Sequence, residues 1–209
     1  AKLDGWPNNK YMNIWVVNTF DASHSGAAAY AYRPQAAAGI PFYDGVISLA
    51  SYLNTDNTMS HEVGHSLNLS HVWGNTNNAG VACGDDNVDD TPPTMGHNPV
   101  GCVPSALYDV TCATNYIKNG IDYPDTVNAQ NVMDYTYCSK MFTQLQMARC
   151  RATLNATTAG RNNLWSAANL TATGILNTRS DLKPVADFSA SKLWSVLGVV
   201  LPININFKN

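Results

Sequence analysis

The stretch HEVGHSLNLSH, residues 61–71, decides how the rest of the chain is read. On an α-helix, His61 and His65 stand four residues apart, about 40° around the axis and roughly 6 Å along it, so both imidazoles reach one ion from one face. Glu62, beside the first histidine, is placed to meet a metal-bound water rather than the metal. That placement suits hydrolysis: zinc lowers the pKa of its water to about 7, and a neighbouring carboxylate takes the proton as the water attacks a carbonyl. His71 adds a geometric condition. Ten residues of unbroken helix would carry it about 15 Å from His61, beyond reach of a shared ion. The helix is therefore expected to end at Asn68, because after Gly it is Asn that best tolerates the left-handed conformation of a helix C-terminus.

Charge usage sharpens this reading. The chain has fourteen Asp and a single Glu, which is Glu62, and three of its five histidines lie within these eleven residues. Two histidines on a helix are often ordinary core groups; a third at the right distance, with the only Glu between them, points to a zinc hydrolase.

Composition bounds the alternatives. With 209 residues, 45% of them hydrophobic and 13% charged, the chain can form one domain with a real core and a short appendage. Its 12 Lys and Arg are scattered and its net charge is −3, which gives nucleic acid no footprint. The longest apolar stretch, Val196 to Pro202, is too short to span a bilayer. Five cysteines at 83, 102, 112, 138 and 150, among loops rich in Gly, Pro, Asn and Asp, suggest a secreted protein with two disulfides, and leave at least one cysteine over.

Along the chain, KYMNIWVVNTF (10–20) reads as a buried strand, and GIPFYDGVISLASYL (39–53) as a second one at a sheet edge, since Pro41 cannot donate to a ladder. The small-residue segment between them is ambiguous. From Thr58 the pattern turns helical, with Thr58 or Ser60 as N-cap. Residues 74–131 are rich in turn formers, as expected of a functional or cross-linked segment. MFTQLQMARCRATLNA (141–156) resumes helical spacing, with Thr143 and Gln146 as a capping box.

HEVGHSLNLSH resembles the elongated HExxHxxGxxH motif of the metzincin metallopeptidases, with Asn68 at the Gly position. NVMDYTY (131–137) resembles their Met-turn. With HEVGHSLNLSHVWG, CGDDNVDDTP and MFTQLQMAR, the chain resembles the pappalysin family over about residues 6–165. The resemblance implies an α+β, metzincin-like zincin fold: a small twisted sheet, an active-site helix, a zinc cleft and an irregular, disulfide-linked C-terminal subdomain. It implies zinc on His61, His65 and His71, with Glu62 as general base and acid. Tyr135 would stabilise the tetrahedral intermediate or complete the resting coordination, and Met133 would lie beneath the metal. The pairings Cys83–Cys112 and Cys102–Cys138 are likewise implied. So is calcium at the acidic segment 85–91, on Asp86, Asp89 and Thr91 beside Asp85 and Asp90.

One departure concerns specificity. Relatives that cut before Arg or Lys carry an Asp between the Met-turn tyrosines and the next cysteine, whereas MDYTYC runs straight on. For organisation, the reading expects a peptidase domain at 1–166, a linker at 167–184 and a partial β module at 185–209, where DLKPVADFSAS resembles the opening of a PKD-like domain. Because nothing precedes Ala1, an N-terminal pro-segment is expected to have been removed. The leading expectation is a secreted zinc endopeptidase acting on proteins or peptides. A binding or adhesive module that keeps the fold without turnover stays open, as does a zinc hydrolase for non-peptide amides.

Overall fold

The β-branched and aromatic run NIWVV forms strand β1 (Asn13–Val17) in the computed structural model, which describes residues 5–53, 57–98, 101, 112, 116–118, 121–123, 126–176, 188–190 and 205–207. Strand β2 is Ala29–Ala31, followed by a single turn of helix α1 (Pro34–Ala37), and strand β3 is Gly45–Leu49. The sheet order is β1-β3-β2, with β1 parallel and β2 antiparallel to β3. Gly45 lets β1 come close: a Cβ there would lie 2.4 Å from the Asn13 carbonyl oxygen.

This order overturns two expectations. The strand in 39–53 is central, not an edge, because Pro41 sits in the 3-10 turn Pro41–Tyr43 ahead of the ladder, where its missing N–H removes no sheet bond. The strand in 10–20 is not buried: Ile14 and Val16 are each 48% exposed, as alternate positions of a strand covered on one face only.

Helix α2 (Thr58–Ser66) carries the first histidines, with Asn57 at its N-cap in place of Thr58 or Ser60. It ends in a Schellman motif. Asn68 has φ 72°, its N–H donates to the His65 carbonyl, and the Leu69 N–H donates to the Gly64 carbonyl at 2.9 Å. Arg161 fastens this end: its Nε donates to the Ser66 carbonyl at 3.1 Å, and its two terminal nitrogens form a bidentate pair with Asp44, each at 2.6 Å. Both side chains are 3% exposed, so losing either one would strand a buried charge.

Beyond α2 lie the hairpin β4 (Tyr116–Lys118) and β5 (Ile121–Tyr123), the short helix α3 (Thr126–Ala129) and helix α4 (Gln144–Asn155). Thr143 and Gln146 form the capping box of α4 with both reciprocal bonds in place. The core gathers Leu69 and Val72 from the loop after α2, Trp73, Met133 and Cys150, with Tyr135 and Phe142 packed against it. Full burial of Leu69, Val72 and Met133 stabilises the fold by about 1.5–3 kcal/mol each. The same contacts support the histidine loop from below.

Contact density divides the chain into units Ala1–Asn169 and Leu170–Asn209, with the division inside helix α5 (Ala167–Ala172). The stretch expected as a linker from 167 thus begins as a helix. Ser166 Oγ accepts from the Asn169 N–H at its start, and Gly174 (φ 79°) closes its end as Asn68 closes α2, with the Ile175 N–H donating to the Leu170 carbonyl. In the second unit, strands β6 (Phe188–Ala190) and β7 (Ile205–Phe207) pair antiparallel. Among the described residues no helix is long and apolar enough to cross a membrane.

Candidate active site

Because the chain reverses at Asn68, His71 returns to the helix face that carries His61 and His65. One ring nitrogen from each of the three lies within 4.8 Å of the others. Each ring has its orientation set by a backbone carbonyl that receives the Nδ1 proton: Val132 for His61 at 2.7 Å, Leu69 for His65 at 2.9 Å, and Thr76 for His71 at 2.8 Å. With Nδ1 as donor, each neutral ring turns an Nε2 lone pair inward. Two of these, on His65 and His71, face each other at 3.2 Å. Such an arrangement of acceptors is relieved by a cation. Burial pushes the His61 pKa down to about 3 and that of His71 to about 2, with the neighbouring histidines adding to both, so the rings keep the neutral, ligating form. Zinc fits this donor set, which offers three imidazole nitrogens and leaves a fourth position open.

The surroundings tighten the triad. The Trp73 indole stacks on the His71 ring at 4.5 Å and 4°, and its Nε1 donates to the same Thr76 carbonyl. Gly96 makes room for that indole, since a Cβ there would meet the ring at 2.0 Å. Met133 is fully buried under α2, where a Cβ on Gly64 would lie 2.5 Å from its sulfur. The turn that carries it is shaped locally: Asn131 Oδ1 accepts from the Met133 N–H, and the Asp134 N–H donates to the Asn131 carbonyl. That turn also supplies the Val132 carbonyl to His61.

Glu62 is 7% exposed, and its Oε2 is buried with no hydrogen-bond partner. Desolvation raises its pKa to about 8. An orphaned carboxylate oxygen beside three inward nitrogens is where a water would be held and deprotonated. The Tyr135 hydroxyl lies 3.0 Å from His71 Nε2, and burial, then Glu62 and Asp134, raise its pKa to about 12, which keeps it a donor. The histidines, Glu62 and Tyr135 all open onto one cleft of about 720 Å³, which is also lined by β2, the edge strand of the sheet among the described residues.

The acidic segment behaves differently. Its carboxylates are not gathered around one point; among the described residues the histidine triad is the one group of three or more such side chains placed to share an ion. Asp86 accepts from the Val88 N–H, from the Thr91 hydroxyl at 2.5 Å and from Gln146 Nε2. Asp90 accepts from the Thr143 hydroxyl and the Leu145 N–H, capping α4. Asp85 accepts from the Asn87 N–H.

Cys83 and Cys112 form a disulfide, and Cys150 is free and buried. Cys138 is disulfide-bonded, but Cys102, and with it the expected pairing, lies outside the described residues. The sequence reading missed Arg161, Trp73 and the buried pair of His97 with Asp134, whose Nδ1–Oδ2 distance is 2.7 Å. Asp134 stands inside the Met-turn, and that position was the available signal.

No curated protein matches the chain. Solved structures do. Mature mirolysin of Tannerella forsythia, in complex with a cleaved peptide, is 32% identical with a TM-score of 0.61, over 79% of this chain and 60% of that one. Mirolysin in complex with compound 9 is 31% identical with a TM-score of 0.59, over 77% and 58%. A Glu-to-Ala mutant of Tannerella forsythia promirolysin is 31% identical with a TM-score of 0.59, over 77% and 51%. The chain thus spans less than two thirds of the length of these relatives. The M43 peptidase family model, described as pregnancy-associated plasma protein-A, matches residues 1–155. A histidine triad closed by a helix-ending Asn, a Met-turn beneath it and this match over most of the sequence agree: the chain belongs to the M43, or pappalysin, family of peptidases.

Proposed function

We propose that residues 1–166 form the catalytic domain of a secreted zinc endopeptidase. The observation that carries this is the triad whose three Nδ1 protons are fixed on carbonyls, leaving inward nitrogens beside the unpartnered Glu62 Oε2. His61, His65 and His71 would hold the zinc, which when bound supplies a water of lowered pKa and polarises the scissile carbonyl.

Glu62 accepts the proton of the attacking water as its oxygen bonds to the carbonyl carbon, and returns that proton to the amide nitrogen as the C–N bond breaks. Burial raises its proton affinity above that of an ordinary carboxylate, which strengthens it as a base toward the water's proton. Tyr135, protonated and facing the cleft, donates to the substrate oxygen that gains charge as the carbon becomes tetrahedral. A peptide is positioned by adding to the free edge of β2, Ala29–Ala31, rather than to the segment 43–50. Mirolysin, a relative crystallised with a cleaved peptide, supports the substrate class. The disulfide supports an oxidising compartment and so secretion. Calcium on Asp86, Asp89 and Thr91 is not part of the proposal; Asp86 accepts from the Val88 N–H, the Thr91 hydroxyl and Gln146 Nε2.

The test is Glu62→Ala. Zinc content by elemental analysis should stay at that of the wild type while kcat/KM on a quenched peptide falls by roughly 10³-fold. Full turnover in that variant would end the proposal.

A further inference from the structure

The cleft wall carries a cation for which the described residues supply no counter-charge. Arg33 follows β2 and is the N-cap of α1, where buried Pro34 fixes the backbone. Its half-buried side chain lines the cleft and donates from Nη1 to Ser70 Oγ at 2.9 Å, and Ser70 donates onward to Asn75 Oδ1 at 3.0 Å. A guanidinium has five N–H donors and stays charged. Among the described residues Arg33 has no carboxylate within ion-pair distance. The acidic side chains of the cleft do not serve it: Glu62 makes no ion pair with it, and Asp134 accepts from His97 and from the Tyr135 N–H. Its field does reach the site, where it further lowers the pKa of both His65 and His71.

Direction along the cleft follows from the strand. An antiparallel ladder is the more stable pairing, and a peptide added in that sense runs opposite to β2. Arg33 lies beyond the C-terminal end of β2, so it meets the N-terminal part of the bound peptide. With the scissile bond opposite this three-residue strand, the position beside Arg33 falls on its amino side. A free peptide carboxyl terminus would lie at the other end, which leaves an acidic side chain as the partner.

We propose that Arg33 forms a carboxylate-binding subsite that selects peptides with Asp or Glu on the amino side of the scissile bond. This rests on the peptidase reading above. A planar guanidinium held at one nitrogen by Ser70 keeps other donors for a bidentate grip on a carboxylate.

The test uses quenched peptides of one parent sequence with Asp, Gln or Lys at each of three positions before and after the scissile bond. They are assayed with the zinc-loaded wild type, Arg33→Gln and Arg33→Glu. Wild type should prefer Asp over Lys by at least about tenfold in kcat/KM at one amino-side position. Arg33→Gln should bring the ratio near one, and Arg33→Glu should reverse it; 0.5 M salt should shrink the wild-type preference. Fluorescence anisotropy of the same peptides on Glu62→Ala protein, with and without Arg33→Gln, reads binding without turnover. If peptides bind with the Arg33-dependent preference but none is cut, the peptidase reading fails and this inference survives. An unchanged ratio in both Arg33 variants, a wild-type preference for Lys, or an acidic preference confined to the carboxyl side would overturn it.

Discussion

Two polar clusters sit close together in the sequence, the histidines of 61–71 and the carboxylates of 85–90, and the structure treats them in opposite ways. In the first, the protein occupies the outward nitrogen of every ring, and of the inward ones only His71 Nε2 meets a protein donor, the Tyr135 hydroxyl. In the second, every carboxylate oxygen of Asp86 and Asp90 meets a protein donor: Asp86 is met by Val88, Thr91 and Gln146, and Asp90 by Thr143 and Leu145. A run of ligand-type residues is thus a site only where acceptors converge and stay unfilled. Where donors reach them first, the same residue types cap helices and brace loops.

The largest effect that would test this contrast is His71→Ala, which removes one inward nitrogen. It should lose zinc on dialysis and lower peptide cleavage at least about 10³-fold, whereas Asp86→Asn should keep its zinc. Elemental analysis of both variants decides; zinc loss from Asp86→Asn alone would break the comparison.

Next comes the pH dependence of the metal-free protein. The Glu62 pKa is raised from 4.5 to about 8 by burial, so between those values the folded state binds more protons than the unfolded one, and stability falls as pH rises. The buried histidines act in the acid range with the other sign: their lowered pKa values mean that stability falls as pH drops below about 6.5. In chelator-treated protein, Glu62→Gln should therefore raise Tm by roughly 5 °C at pH 8 and by little at pH 4.5. An equal gain at both pH values would show that Glu62 is not held against its solvation.

A smaller effect is expected of Asp90→Ala, which removes a charged cap from α4 and should cost about 1 kcal/mol in urea denaturation with zinc binding unchanged. Smallest of all is added calcium. Millimolar CaCl2 should shift Tm by less than about 1 °C, and a rise of several degrees would place an ion among carboxylates that here have protein partners.

Legibility followed the range of the interaction. The capping box of α4 joins residues three apart, and the turn at Asn68 is set by bonds spanning three to five residues, so both were open to local reading. The segment holding β2 is ambiguous in sequence because Ala29-Tyr30-Ala31, within a small-residue run, becomes a strand only by pairing with β3. The edge assignment of 39–53 went wrong for the same reason: a parallel partner, β1, lies a long connection away and leaves no local mark. Arg161 shows this most plainly, since its carboxylate, Asp44, is 117 residues distant. Residues 167–172, expected as the start of a linker, form a helix held by Ser166 and by Asn169, whose side chain donates to the Lys10 carbonyl.

By itself, then, the sequence determined the spacing of the ligands, the one glutamate beside them and the place where the helix must stop, because these depend on the rise of a helix and on the conformation that Asn allows. Only the tertiary structure decided which lone pairs remain open. That choice depends on carbonyls and donors brought from elsewhere: Val132, 71 residues from His61, turns one imidazole inward, while Gln146, 60 residues from Asp86, helps close a carboxylate off. Folding brings such groups together through packing, and no local periodicity records it.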